Sequence, residues 1–165
     1  MFYNGVVIVQ GMLIGLVLVV LVAAAPGTSL MVERAEGGLR HEASITKRVF
    51  DAGESVEVTI TIRNAGANPV TLTFFSGQRF DLLVRRPRGD EIWRWSHDKA
   101  FIQVVQSIPI RSNEPMTLKA SWDQRDYQGR RADLGAYEII AFVTGRTEGS
   151  ERASIQLPAL QFTIR

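Results

Sequence analysis

Residues 56–75, VEVTITIRNAGANPVTLTFF, decide the fold. Val56, Val58, Ile60 and Ile62 alternate with Glu57, Thr59, Thr61 and Arg63. This period of two puts one apolar face and one polar face on an extended strand. Asn64-Ala65-Gly66-Ala67-Asn68-Pro69 is a turn cluster, and Val70 to Phe75 follows as the returning strand. Working outward, Phe80 to Arg86 and Glu91 to Trp95 flank Pro87-Arg88-Gly89-Asp90, a predicted hairpin. Met116, Leu118, Ala120 and Trp122 alternate again with polar partners. Tyr137 to Thr144 and Ala153 to Ile164 complete the set, with Pro158 arguing for an edge or a bulge in the last. Only Asp98 to Val105 has room for a helical turn. Short strands separated by turn signals, with no long amphipathic helix, predict an all-β fold. The expected architecture is an immunoglobulin-like antiparallel β-sandwich of about eight strands.

One further element precedes the sandwich. Residues 1–32 contain no Asp, Glu, Lys or Arg, and Gly5 to Ala25 is an apolar run broken only by Gln10. As a helix rising about 1.5 Å per residue it would span roughly 30 Å, the thickness of a bilayer's hydrocarbon core. A secretory signal has a shorter apolar region behind a basic start, and MFYNG has no basic side chain. Residues 1–25 therefore read as one N-terminal apolar helix, a transmembrane anchor or a signal peptide. Small residues at Val22-Ala23-Ala24 keep cleavage open, although Pro26 disfavours a cut after Ala25. Residues 26–40, with Gly37-Gly38, read as a flexible linker, and 41–165 as the sandwich domain. Arg34 and Arg40 argue weakly for a cytoplasmic domain by the positive-inside rule, diluted by Glu33 and Glu36. Export behind a single N-terminal apolar segment is the commoner arrangement. The expectation is a membrane-anchored or secreted protein with an extracytoplasmic domain.

Composition excludes several functions. All 19 basic and 17 acidic residues follow residue 32, so the soluble part carries a net charge of +2. Arg85, Arg86 and Arg88 form too small a cluster for a nucleic-acid groove, and no nucleic-acid partner is expected. There is no cysteine, and His41 and His97 are the only histidines, so no zinc site is assigned. Asp123, Asp126 and Asp133 share a loop but lack the EF-hand spacing. Ser96-His97-Asp98 holds the residue types of a hydrolytic triad, yet neighbours on an extended strand point to opposite faces. No catalytic, cofactor or metal residue is assigned, and an enzyme is not expected. Arg88-Gly89-Asp90 is ordinary turn chemistry. Trp93, Trp95 and Trp122 are read as core aromatics rather than a ligand platform.

Residues 76–101, SGQRFDLLVRRPRGDEIWRWSHDKAF, carry a family resemblance. Ser76, Gly77, Gln78, Phe80 and Asp81 form a corner, followed across a hairpin by Trp93, Trp95 and Ser96 and then by Phe101. Asn64 precedes them, and Gln103, Trp122-Asp123 and Gly135-x-Tyr137 follow. The set resembles the signature of the BsuPI-like intracellular proteinase inhibitor domain, over roughly Glu54 to Thr144. The resemblance implies a non-catalytic protein-binding domain that occludes a serine-type protease. The alternative is an adhesion or envelope-assembly module with no inhibitory activity.

An inhibitor presents a pre-ordered solvated segment to a cleft, so that little entropy is lost on binding. The loop from Asp123 to Leu134, DQRDYQGRRADL, is long for a sandwich connection. Arg125, Tyr127, Arg130 and Arg131 are side chains of the kind that anchor interfaces, and they are the predicted protein-contact residues. The hairpin from Arg85 to Asp90 is the second candidate.

Overall fold

A computed structural model describes residues 29–150 and 152–165. The predicted apolar helix within residues 1–25 lies outside the described residues. Within them the chain is all β. Strands β1 (Leu30–Glu36), β2 (Leu39–Ile45), β4 (Val56–Asn64) and β9 (Met116–Trp122) form one antiparallel sheet in the order β1-β2-β4-β9. The second sheet has the order β3-β12-β10-β6-β7. Its strands are β3 (Val49–Phe50), β12 (Leu160–Ile164), β10 (Gly135–Val143), β6 (Phe80–Arg85) and β7 (Glu91–Arg94). The short β11 (Ile155–Gln156) joins β10, and β3 alone runs parallel to its neighbour. A separate ribbon pairs β5 (Val70–Phe74) with β8 (Gln106–Ile110).

The predicted alternation becomes burial directly. On β4, Val56, Val58, Ile60 and Ile62 face inward while Glu57 and Arg63 are exposed. With β2, β4 and β9 on one side and β12, β10, β6 and β7 on the other, the order is that of the immunoglobulin sandwich. Tyr137, near the start of β10, donates its hydroxyl to the carbonyl of Asp133 four residues upstream at 2.6 Å. This is the tyrosine corner of that architecture.

The chain has no cysteine, so no disulfide ties the sheets together. An aromatic cluster spans the gap instead. Trp122 from β9 lies 5.6 Å from the Tyr137 ring and 6.2 Å from Phe162 of β12. Phe162 in turn meets Phe50 edge-on at 5.6 Å. Such rings bury large apolar areas, and each pair adds about 0.5–1.5 kcal/mol beyond burial.

Two sequence expectations need correction, and one strand is not expected from the sequence. Leu30–Glu36 falls within the predicted linker but is strand β1, paired with β2 along its whole length. Gly37 and Gly38 form its hairpin turn, with φ of 60° and 78°. A Cβ at Gly37 would lie 2.1 Å from the Thr147 hydroxyl, so the site is packed rather than a loose joint. The charges of Glu33, Arg34 and Glu36 hide this edge strand from a pattern search. Strand β8 likewise escapes such a search, because Pro109 reads as a breaker; it sits at an exposed position of a two-stranded ribbon. Residues 98–105 hold no helix. A turn over Trp95–Asp98 leads into irregular backbone from 99 to 105.

Candidate functional site at the two ends of the sandwich

β6 and β10 run antiparallel, from Arg85 opposite Glu138 to Phe80 opposite Val143. The hairpin after Arg85 and the loop before Gly135 therefore share one end of the sandwich. The corner before Phe80 lies at the other end. The sequence-predicted residues divide between these two places.

At the first end, loop 123–134 is tightly organised from within. The Asp126 carboxylate accepts the backbone N–H groups of Gln128 and Arg130, both at 2.9 Å, and pairs with the Arg130 guanidinium at 2.7 Å. Desolvation, the largest single influence, raises the Asp126 carboxyl, but those donors together outweigh it and hold the group below its ordinary range. Arg125 donates to the Gly129 carbonyl at 2.6 Å and pairs with Asp123 at 3.6 Å. Its own carbonyl accepts the Trp122 indole N–H at 2.8 Å, fastening the loop to the core. Gln124 is buried, and its amide bridges to the Asp51 carbonyl and the Gly53 N–H, at 3.0 and 2.6 Å. Arg131 lies over Gly53.

Tyr127 leaves the loop and donates to the Glu91 carboxylate, with its ring 4.1 Å from the His97 ring. Burial and that acceptor push the Tyr127 hydroxyl up to about 12. Arg86 pairs with Asp133 at 3.7 Å and lies over the Tyr137 ring at 4.2 Å. The structure thus brings the two predicted segments together. Arg88, Gly89 and Asp90 remain an exposed hairpin tip, with Arg88 at φ 58°.

At the second end, the signature residues form a support. Asp81 is buried and accepts the Ser96 hydroxyl at 2.7 Å, the Ser96 N–H at 3.1 Å and the Arg94 guanidinium at 3.1 Å. Phe80 stacks on Trp95 at 4.2 Å, and Trp95 meets Phe101 at 5.9 Å. The Ser76 hydroxyl accepts the Gln78 N–H at 3.2 Å, and the Gln78 carbonyl accepts the Thr144 hydroxyl at 2.7 Å. Gly77 donates its N–H to the Ile102 carbonyl at 2.8 Å. Trp93 and Trp95 are half-buried against the core, and Trp122 is fully buried. Asp123 and Gly135 flank the loop at the opposite end.

The three residues Ser96, His97 and Asp98 diverge. Ser96 serves Asp81, His97 packs against Tyr127 at a 45° tilt, and Asp98 pairs with Lys99 at 3.1 Å. Asp123, Asp126 and Asp133 are each engaged by a different arginine. No cluster of three metal-ligating side chains occurs among the described residues.

Sequence reasoning misses one feature. Ile102 and Val105 are 73% and 64% exposed, and Phe75 is 51% exposed. Phe74 pairs with Gln106, so Phe75 and Val105 stand one step beyond the last rung of the β5–β8 ribbon. Ile102 touches Gly77, two residues from Phe75. Three large apolar side chains thus lie exposed near the signature corner, Phe75 with the Arg146 guanidinium over its ring at 5.0 Å. A run of apolar residues without strand partners, FIQVV at 101–105, is the only signal in sequence.

Among solved structures, the chain is similar to the Pseudomonas fluorescens alkylpurine DNA glycosylase AlkC bound to DNA containing an abasic site analog. The identity is 14%, covering 79% of this chain and 31% of that one, with a TM-score of 0.44. Spo0M, a sporulation control protein from Bacillus subtilis, matches at 13% identity over 78% of this chain and 50% of its own, with a TM-score of 0.44. A CARDB domain from Pyrococcus furiosus, in complex with di-metal ions, matches at 14% over 72% and 80%, with a TM-score of 0.38. The chain thus spans about a third of the glycosylase and half of Spo0M. No curated protein matches it. The family model of the intracellular proteinase inhibitor BsuPI matches residues 43–148, well over half the chain and including both ends of the sandwich, and the protein belongs to that family.

Proposed function

We propose that the domain is a non-catalytic inhibitor that binds a serine-type protease and occludes its active site. Family membership over residues 43–148 carries this reading. The sandwich supports it, because both ends present loops whose backbones are ordered before any partner arrives, which lowers the entropy lost on binding. Ser96, His97 and Asp98 have separate partners, which favours a binding role over hydrolysis. Arg125, Tyr127, Arg130 and Arg131 are a first contact surface, supported by the internal order of their loop.

The apolar run Gly5–Ala25 supports a membrane-targeting segment ahead of the domain, anchored or secreted; the extracytoplasmic side is our proposal, beside a family described as intracellular. Fractionation with protease protection of intact cells tests this placement.

The inhibitor reading is tested by titrating the full chain, in mild non-ionic detergent, against subtilisin-, chymotrypsin- and trypsin-type proteases with small chromogenic substrates. Saturable inhibition with the chain intact by mass is expected. Absence of inhibition by demonstrably folded protein would leave the binding-module alternative.

A further inference from the structure

We infer that the protease-contacting element is the segment Ala100–Val105 with Phe75 beside it, and that its partner is a serine protease whose cleft selects apolar residues. This rests on the inhibitor reading and specifies its partner.

The segment has the form such a cleft accepts. Residues 99–105 are irregular backbone outside both sheets, and the β8 ladder begins only at Gln106. A segment of this kind can take up main-chain hydrogen bonds in a protease cleft, with one of its exposed side chains filling a pocket. The segment is also fixed in place. Gly77 holds the Ile102 carbonyl, Phe101 rests on Trp95, and Asp81 grips Ser96 upstream. Downstream, β8 locks it to β5.

Side-chain chemistry chooses the partner. Ala100-Phe101-Ile102-Gln103-Val104-Val105 carries no charge. Within Ala100–Val105 a basic-selective pocket with a carboxylate at its base finds no cation, Arg146 nearby being spread over the Phe75 ring at 5.0 Å, whereas a hydrophobic slot finds Ile102 or Val105. The arginines of loop 123–134 do carry cations, but Arg130 is already paired with Asp126 and Arg125 with Gly129 and Asp123, while Arg131 lies over Gly53. Drawing Arg125 or Arg130 into a cleft would break those bonds first.

The test uses the full chain in detergent, the three protease types named above, and two variants: Ile102→Asp with Val105→Asp, and Arg125→Ala with Arg130→Ala and Arg131→Ala. Both alter exposed side chains, and matching circular dichroism and thermal midpoints would establish that they fold. The expected result is inhibition of the subtilisin and chymotrypsin types but not the trypsin type. The aspartate pair should weaken that inhibition at least about 30-fold, the scale of losing a central interface residue. The arginine triple should change it less than about threefold. Inhibition confined to the trypsin type, or loss in the arginine triple with the aspartate pair intact, overturns this inference while leaving the inhibitor reading standing. No inhibition of any protease by folded protein removes both.

Discussion

Loop 123–134 and segment 99–105 stand at opposite ends of one sandwich and solve opposite problems. The loop is charged, and nearly every charge is satisfied by a neighbour within it or on the adjoining hairpin. The segment is uncharged from Ala100 onward and anchored by its backbone and by Phe101, leaving the Ile102 and Val105 side chains largely in solvent. Internal ion pairs at a surface add little stability, but they fix a conformation and occupy the groups that a partner would need. Exposed apolar side chains on a fixed backbone cost the isolated protein and are recovered only on binding. Long loops and rich charge are therefore poor guides to an interface unless the pairing is known.

The contrast depends on a common core, and the largest effect should come from removing it. Trp122→Ala should lose about 3–5 kcal/mol of stability, by cavity formation and loss of the indole bond to the Arg125 carbonyl. Chemical denaturation would measure it; a cost below about 1 kcal/mol would mean that the cluster does not tie the sheets together.

Acid should weaken both ends together through His41. This residue is fully buried on β2, and burial pushes its imidazole down to about 4 from 6.5, against the opposing pull of Glu36. Between those values the unfolded chain binds the extra proton, so stability is full above pH 6.5 and falls as pH drops toward 4. The loss should reach about 3 kcal/mol. Denaturant midpoints at about pH 7 and about pH 4.5 should show this slope in the native chain, and His41→Leu should flatten it.

Asp81→Ala should separate the ends. It leaves Ser96 and Arg94 without their shared acceptor and should cost about 2 kcal/mol. Hydrogen exchange should quicken around Ser96–Ile102 while residues 123–134 stay protected. Equal loosening at both ends would show that the two are coupled. Asp126→Ala is the converse and smaller case. Losing the carboxylate that caps Gln128 and Arg130 should cost less than Asp81→Ala and loosen only its own loop. Unchanged inhibition by that variant, beside reduced inhibition by Asp81→Ala, would assign the contact to the signature end.

Much of the sandwich is legible in the sequence. Val56–Ile62 alternate because one face meets a core and the other meets water, so β4 and β9 follow directly from spacing, and Trp122 falls inside as expected. The edge strands are not legible, since β1 carries charges on a strand with no deeply buried face and β8 contains Pro109, at an exposed position of the ribbon. The signature residues can be named, but their joint role as a support for Ile102 cannot. Asp81 meets Ser96 across fifteen positions, and Gly77 meets Ile102 across twenty-five, distances at which a sequence pattern carries no contact information.

Local alternation and turn chemistry, which act between near neighbours, were enough to determine an all-β chain and its long strands. Which arginines are bound and which apolar residues stay bare was decided only by tertiary structure. Pairing and exposure depend on what the fold brings alongside, and at Arg130 it brought Asp126, while at Ile102 and Val105 it brought nothing that covers them.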